Sequence, residues 1–317
     1  MTRAGRRILA LSGGVGGARL AKGLADVLAP GALTVAVNVA DDFLHLGLAI
    51  SPDLDTVMYT LADIVNAETG WGRKDESWAF MGALAQFGGA NWFRLGDTDL
   101  AVHVERTRRL ALGESLSAIT ASFCRKLGIA SEVLAVSDDK VATMVATPGG
   151  ELAFQDYFVR HRCAPEALGF RFVGAEGARL NPRLIAALDD PMLEAVIIGP
   201  SNPFVSIGPM LAIPGLSDRL IRCQAPVIAV SPIIGGQAVK GPAAKMMREQ
   251  GIEPSPRAIA AEYGALLDGL VIDEVDRAEA ARIEGPRIRV TDTLMRGAEE
   301  QRLLARDVLA FAAEFSR

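Results

Sequence analysis

Four short runs without a charged residue constrain this chain most: Leu33-Thr34-Val35-Ala36-Val37-Asn38-Val39, Ala195-Val196-Ile197-Ile198-Gly199, Pro226-Val227-Ile228-Ala229-Val230-Ser231, and Gly269-Leu270-Val271-Ile272 before Asp273. Rich in β-branched residues and lacking polar alternation, they describe strands covered on both faces, as in a parallel sheet. A fifth run, Arg7-Ile8-Leu9-Ala10-Leu11, closes with Ser12-Gly13-Gly14-Val15-Gly16-Gly17 and gives way to leucines at helical spacing up to Leu28. Further helices are expected over about 53–66 and 76–87, throughout 97–128, and for about sixteen residues after Arg296.

Strands separated by helices along the whole chain predict an α/β fold with a doubly wound, mostly parallel, Rossmann-like sheet and right-handed connections. Val133 to Phe158, with a turn at Pro148-Gly149-Gly150, reads as short strands and breaks the alternation. A single domain over 1–317 is therefore expected, carrying a helical and short-strand insertion at about 97–165. Arg106, Arg108 and Arg109 are placed on the outer face of the helical stretch.

At 317 residues the chain is long enough to bury a substantial core. A net charge of −5 argues against a sequence-independent grip on nucleic acid, so an anionic ligand must be met locally, by loops and helix ends. Cys124, Cys163 and Cys223 form no C-x-x-C pair, which disfavours a disulfide framework or zinc site and fits a reducing cytoplasm. The basic start, Met1 to Arg7, precedes an apolar run too short for a signal sequence. The longest charge-free span, Ala195 to Ser217, contains Pro200, Pro203, Pro209 and Pro214, unlike a membrane-crossing helix.

In open parallel sheets ligands sit beyond the carboxyl ends of the strands, which directs attention to 12–17, 38–55, 199–208 and 231–241. Asp41, Asp42, Asp53 and Asp55 fall within fifteen positions, between a strand end and the next helix. Buried like charges raise one another's pKa unless a cation is present, and oxygen ligands without His or Cys favour magnesium. Asp53, beside Pro52, is equally suited to capping a helix. The glycine loop lacks the Lys-Ser/Thr of a P-loop and the third glycine of G-x-G-x-x-G; it is either a tight strand-to-helix turn or a backbone approach to phosphate at a helix N-terminus. Trp71, Trp78 and Trp92 sit in polar, glycine-containing loops, where packing competes with stacking on a flat aromatic ligand. His45, His103 and His161 show no ligand spacing.

Taken together, these motifs resemble the 2-phospho-L-lactate transferase family, the CofD-like proteins of coenzyme F-420 (deazaflavin) biosynthesis. The resemblance rests on Ser12 to Arg19, Asn38-Val39-Ala40-Asp41-Asp42, Ser51-Pro52-Asp53-Leu54-Asp55-Thr56, Gly96 to Leu100, Phe154 to Arg160, Pro200 to Pro209 and Ser231 to Gly236, in family order over about 245 residues. Ala40 stands where many relatives are expected to carry Gly. The resemblance implies a magnesium-dependent enzyme that moves a phosphorylated small acid from a guanosine diphosphate ester to the ribityl hydroxyl of the deazaflavin Fo, releasing GMP. It implies Asp41, Asp42 and Asp55 as catalytic and metal-binding residues. Gly13, Gly14, Val15, Gly16, Gly17, Asn38, Asp53, Ser201, Asn202 and Ser231 would face the substrates, with Arg73, Asn91 and Trp92 on the Fo side. Family members suggest a homodimer. Asp55→Asn is expected to abolish transfer and leave the fold intact. A related branch implies the alternative, a non-catalytic nucleotide-sugar-binding regulator of carbon metabolism; the sequence does not select among phospholactyl, phosphoenolpyruvyl and phosphoglyceryl donors.

Overall fold

A computed structural model describes residues 7–315; the basic segment before Arg7 lies outside them. Seven parallel strands form the central sheet: β1 (Arg7–Ser12), β2 (Leu33–Val37), β3 (Glu132–Ala135), β4 (Leu193–Ile198), β5 (Val227–Val230), β6 (Gly269–Asp273) and β7 (Arg287–Thr291). Their spatial order is β7-β6-β5-β4-β1-β2-β3, every neighbouring pair parallel. The chain winds outward from β1 in one direction through β2 and β3, and from β4 in the other. This reversal is the point at which open α/β sheets leave a crevice for ligands.

The reading of the charge-free runs as doubly covered strands holds in detail. Leu9, Leu11, Val35, Val37, Ile197, Ile198, Ile228 and Val271 are fully buried, and removing such side chains from water is the main favourable contribution to folding. Helix α1 (Gly14–Val27) packs on α2 (Pro52–Leu61) and on the closing helix α4 (Ala298–Ala313), the sixteen-residue helix expected after Arg296. The helix expected over 53–66 stops at Leu61, where the chain turns through Asp63 in a left-handed conformation. Among the described residues no helix is long and apolar enough to cross a membrane.

The middle segment differs from the expected single insertion at 97–165. Glu132–Ala135 is the edge strand of the central sheet, so α3 (Asp97–Ala111) and the helix Leu116–Lys126 belong to the long crossover from β2 to β3. The added sheet comes later, an antiparallel trio with Ala142–Thr147 between Gly150–Ala153 and Gly169–Val173. Short, half-exposed strands give little periodicity, which is why β7 and Gly169–Val173 escape a sequence reading.

Candidate active site

The loops after β1, β2, β4 and β5 meet at the crevice, knitted by backbone-to-side-chain hydrogen bonds. Gly13 N–H donates to Ser201 Oγ (3.2 Å), and Gly14 N–H donates to Asp53 Oδ1 (2.8 Å). Asn38 Nδ2 donates to Asp53 Oδ2 (3.0 Å), while Asn38 Oδ1 accepts from the Ala40 amide (2.9 Å). The first free amide of α1 is thus met by a carboxylate of the chain itself, and the phosphate contact expected there from Gly13 and Gly14 is not what these two amides make. The glycines answer a steric demand. A Cβ at Gly16 would overlap the Pro200 carbonyl, and one at Gly17 would overlap the Ser12 and Ser201 hydroxyls. Ser231 serves its own turn, its Oγ accepting from Ile233 N (3.1 Å).

On one side of the first turn of α1 lies a cleft lined by Val15, Gly16, Asn202 and Ser231, all named from the sequence, and by Arg19 and Lys240. Its far wall is the segment Thr293-Leu294-Met295 after β7. Arg19 Nη1 donates to Met295 O (2.9 Å), and Lys240 Nζ donates to Thr69 O (2.6 Å) and Glu68 O (3.2 Å). Among the described residues neither cation is paired with a carboxylate, and burial together with Arg19 lowers the Lys240 pKa. Two cations that are hydrogen-bonded to carbonyls and lack a carboxylate partner keep their charge available to an anion. Arg19 closes the glycine motif but was given no role from the sequence, and the Thr293 segment follows a strand that could not be seen.

On the other side lie the carboxylates. Asp41 is 6 % exposed, and its carboxyl is driven well above the usual range by burial, then by Asp53 and Asp42. Burial raises Asp42 likewise, opposed by Ser51, whose Oγ donates to Asp42 Oδ2 (2.6 Å), and by Arg106. Asp53 is pushed up to about 6 by burial, against the pull of Asn38 and Gly14. Among the described residues Asp41 Oδ1 and Asp42 Oδ1 are buried oxygens without a hydrogen-bond partner. Buried orphan acceptors of this kind are uncommon and costly.

Asp55 does not join them. Both its oxygens are taken by Arg106, Oδ2 at 3.0 Å from Nη1 and Oδ1 on Nη2. Arg106, expected on the outer face of α3, is 1 % exposed. Among the described residues no group of three or more His, Cys, Asp or Glu side chains is disposed to hold a metal. The three-aspartate metal set is corrected on this point: Asp55 is an ion-pair partner. Asp41 and Asp42 do fit a magnesium ion, because their orphan oxygens are the hard donors it takes alongside substrate phosphate oxygens. The expectation for Asp55→Asn changes too. Breaking a buried pair leaves Arg106 uncompensated, so this variant should lose about 3–5 kcal/mol of stability as well as activity, read by denaturant unfolding.

The antiparallel insertion roofs the acidic loop: Thr143 N donates to Ala40 O (2.8 Å), and Gln155 Nε2 reaches Asp41 O (3.4 Å). Trp92 stands edge-on to His45 (5.1 Å between centroids), beside Phe43 and Phe93, with the Arg160 guanidinium 4.4 Å from its ring. Arg73 Cζ lies 5.7 Å from the centre of the Tyr59 ring, and its Nε is buried without a partner. Asn91 is exposed beside Trp92. Trp71 and Trp78 are partly exposed, Trp78 covered by Arg94, and neither is brought to the acidic loop.

A Rossmann-like α/β sheet thus carries a cationic cleft and a buried carboxyl pair on either side of one helix start. Residues 8–303 match the family model described as 2-phospho-L-lactate transferase CofD, and the chain belongs to this transferase family. It is 40 % identical to a phosphoenolpyruvate transferase of Streptomyces griseus, over 97 % of this chain and 99 % of that one. A phosphoenolpyruvate transferase of Thermobifida fusca is 41 % identical over 97 % and 98 %, and a 2-phospho-L-lactate transferase of Methanosarcina barkeri 37 % identical over 94 % and 96 %. A crystal structure of a UPF0052-family protein from Bacillus halodurans shares the fold, with a TM-score of 0.62 at 14 % identity over 96 % and 99 % of the two chains.

Proposed function

We propose that this protein transfers a phosphorylated small acid from a guanosine diphosphate ester to the ribityl hydroxyl of Fo, releasing GMP, in coenzyme F-420 biosynthesis. The observation that carries this reading is the pairing, across the first turn of α1, of the Arg19–Lys240 cleft with the orphaned oxygens of Asp41 and Asp42. The cleft holds the guanosine diphosphate moiety. Asp41 and Asp42 would hold a magnesium ion, which would supply charge neutralisation on phosphoryl oxygens. The hydroxyl oxygen bonds to the phosphorus bearing the acid as the bridging bond to GMP breaks, and positioning with charge stabilisation provides most of the rate. Arg73, Asn91 and Trp92 bound the Fo side. The relatives named for phosphoenolpyruvate are 40 % and 41 % identical against 37 % for the one named for 2-phospho-L-lactate, which favours an enolpyruvyl donor.

Purified protein incubated with Fo, magnesium and each of the three guanylylated acids tests this, with product mass and GMP as readouts. A flavin heavier by one phosphoacid is expected, most from the phosphoenolpyruvyl donor. Nucleotide binding with no transfer from any donor would sink the proposal in favour of a non-catalytic regulator. Lys240→Ala removes one charged phosphate contact of about 1.5–3 kcal/mol, so the donor KM should rise about 10- to 100-fold with the Fo KM unchanged.

A further inference from the structure

We propose that Thr143 Oγ1, carried by the antiparallel insertion, is a third oxygen ligand for the cation at Asp41 and Asp42. The proposal rests on the metal of the transferase reading above and adds to it a residue from another part of the chain. Thr143 is 1 % exposed, and among the described residues its hydroxyl has no hydrogen-bond partner. Its amide donates to Ala40 O (2.8 Å), which sets the residue against the acidic loop one position before Asp41. Burial raises the Asp41 carboxyl, Asp53 and Asp42 add to the rise, and the Asn38 side chain and the Thr143 hydroxyl oppose it. The hydroxyl is thus close to that carboxyl without being aligned on it as a hydrogen bond. Together with Asp41 Oδ1 and Asp42 Oδ1 it makes three buried oxygens, from two separate elements, that the described residues leave unpartnered.

The strand itself gives the hydroxyl no other task. Buried positions alternate along Ala142–Thr147, so Thr143, Val145 and Thr147 share the inward face. Thr147 Oγ1 donates to Gly150 O (2.7 Å) in its own turn, and Val145 is apolar and fully buried. A valine at 143 would keep the shape and the inward face, whereas an unpartnered hydroxyl in the interior is costly. A cation removes that cost for all three oxygens at once, and the hydroxyl of a Ser or Thr is a hard donor of the kind magnesium takes beside phosphates. The other two aspartates of the acidic loop are committed elsewhere, Asp53 to Gly14 and Asn38, Asp55 to Arg106. The third protein oxygen therefore comes from the insertion, which Gln155 also ties to the loop through Asp41 O (3.4 Å).

Thr143→Val keeps the shape and loses the oxygen; Thr143→Ser keeps the oxygen. Each is compared with the unaltered protein at pH 7.5 by manganese(II) titration read by electron paramagnetic resonance, by thermal melts with and without magnesium, and by calorimetric binding of GDP without metal. The expected result for Thr143→Val is a manganese affinity at least about tenfold lower, since even the partners of metal ligands are worth that much. Its metal-free midpoint should be no lower than that of the unaltered protein, its rise with magnesium smaller, and its metal-free GDP affinity within twofold. Thr143→Ser should bind manganese within threefold of the unaltered protein. A valine variant that binds manganese within threefold overturns the proposal. So does one that fails to fold or melts lower without metal, the mark of a hydroxyl that merely holds the loop, and so does an unaltered protein that binds no manganese. With the metal results as expected, failure to transfer to Fo is the failure of the transferase reading alone and leaves the Thr143 assignment supported.

Discussion

Asp41→Asn is expected to lower transfer at least 1,000-fold while making the protein more stable at neutral pH. The two effects have one cause. Asp41 is buried beside Asp53 and Asp42, with an Oδ1 that has no hydrogen-bond partner among the described residues, so the folded state holds its proton more tightly than the unfolded chain does. A carboxyl raised in this way destabilises the fold once pH exceeds its unfolded value, and the loss is complete above the folded pKa. For Asp53, raised from 3.8 to about 6, the linkage amounts to roughly 3 kcal/mol, lost progressively as pH rises from about 4 to about 6. Thermal melts of the metal-free protein should therefore show stability falling across that window, and Asp41→Asn should flatten the fall and raise the neutral-pH midpoint. Magnesium should stabilise the unaltered protein at pH 7.5 by mass action and have little effect on Asp41→Asn. Equal stabilisation of both proteins would remove Asp41 from the metal site.

Gly16→Ala should have the second largest effect, on stability and nucleotide binding together. The added methyl would overlap the Pro200 carbonyl, and both partners are backbone, so neither can swing aside as a flexible side chain would. Forcing α1 away from the 200–206 loop should cost about 1–3 kcal/mol, a drop of a few degrees to about ten in the thermal midpoint. Because Gly16 also lines the cleft, GDP affinity measured below that midpoint should fall as well. Unchanged melting and unchanged GDP binding would show that the two loops are not packed this way. Together the two substitutions separate the sides of the α1 start: one removes a destabilising charge needed for chemistry, the other breaks a close approach needed for shape.

Much of this protein is legible before folding, and the boundary follows the range of the interactions. A charge-free, β-branched run such as Val35–Val37 reports its own burial on both faces, and the alternation of such runs with helices implies the parallel sheet and its strand-end loops; these are local properties of sequence. Asp41 and Asp42 could be singled out for the same reason, as adjacent charges at an apolar strand end. Asp55 could not be told from them, because its fate depends on Arg106, fifty-one positions away on a helix whose surface run of arginines looks uniformly solvated. Arg19, Lys240 and the Thr293 segment likewise meet only because β1, β5 and β7 lie in one sheet. Sequence alone determined the fold class and the loops that carry chemistry. Which carboxylates remain unpaired, and which cations face the cleft, was decided only by tertiary packing, since charge pairing depends on distance in space and that distance is set by the order of strands.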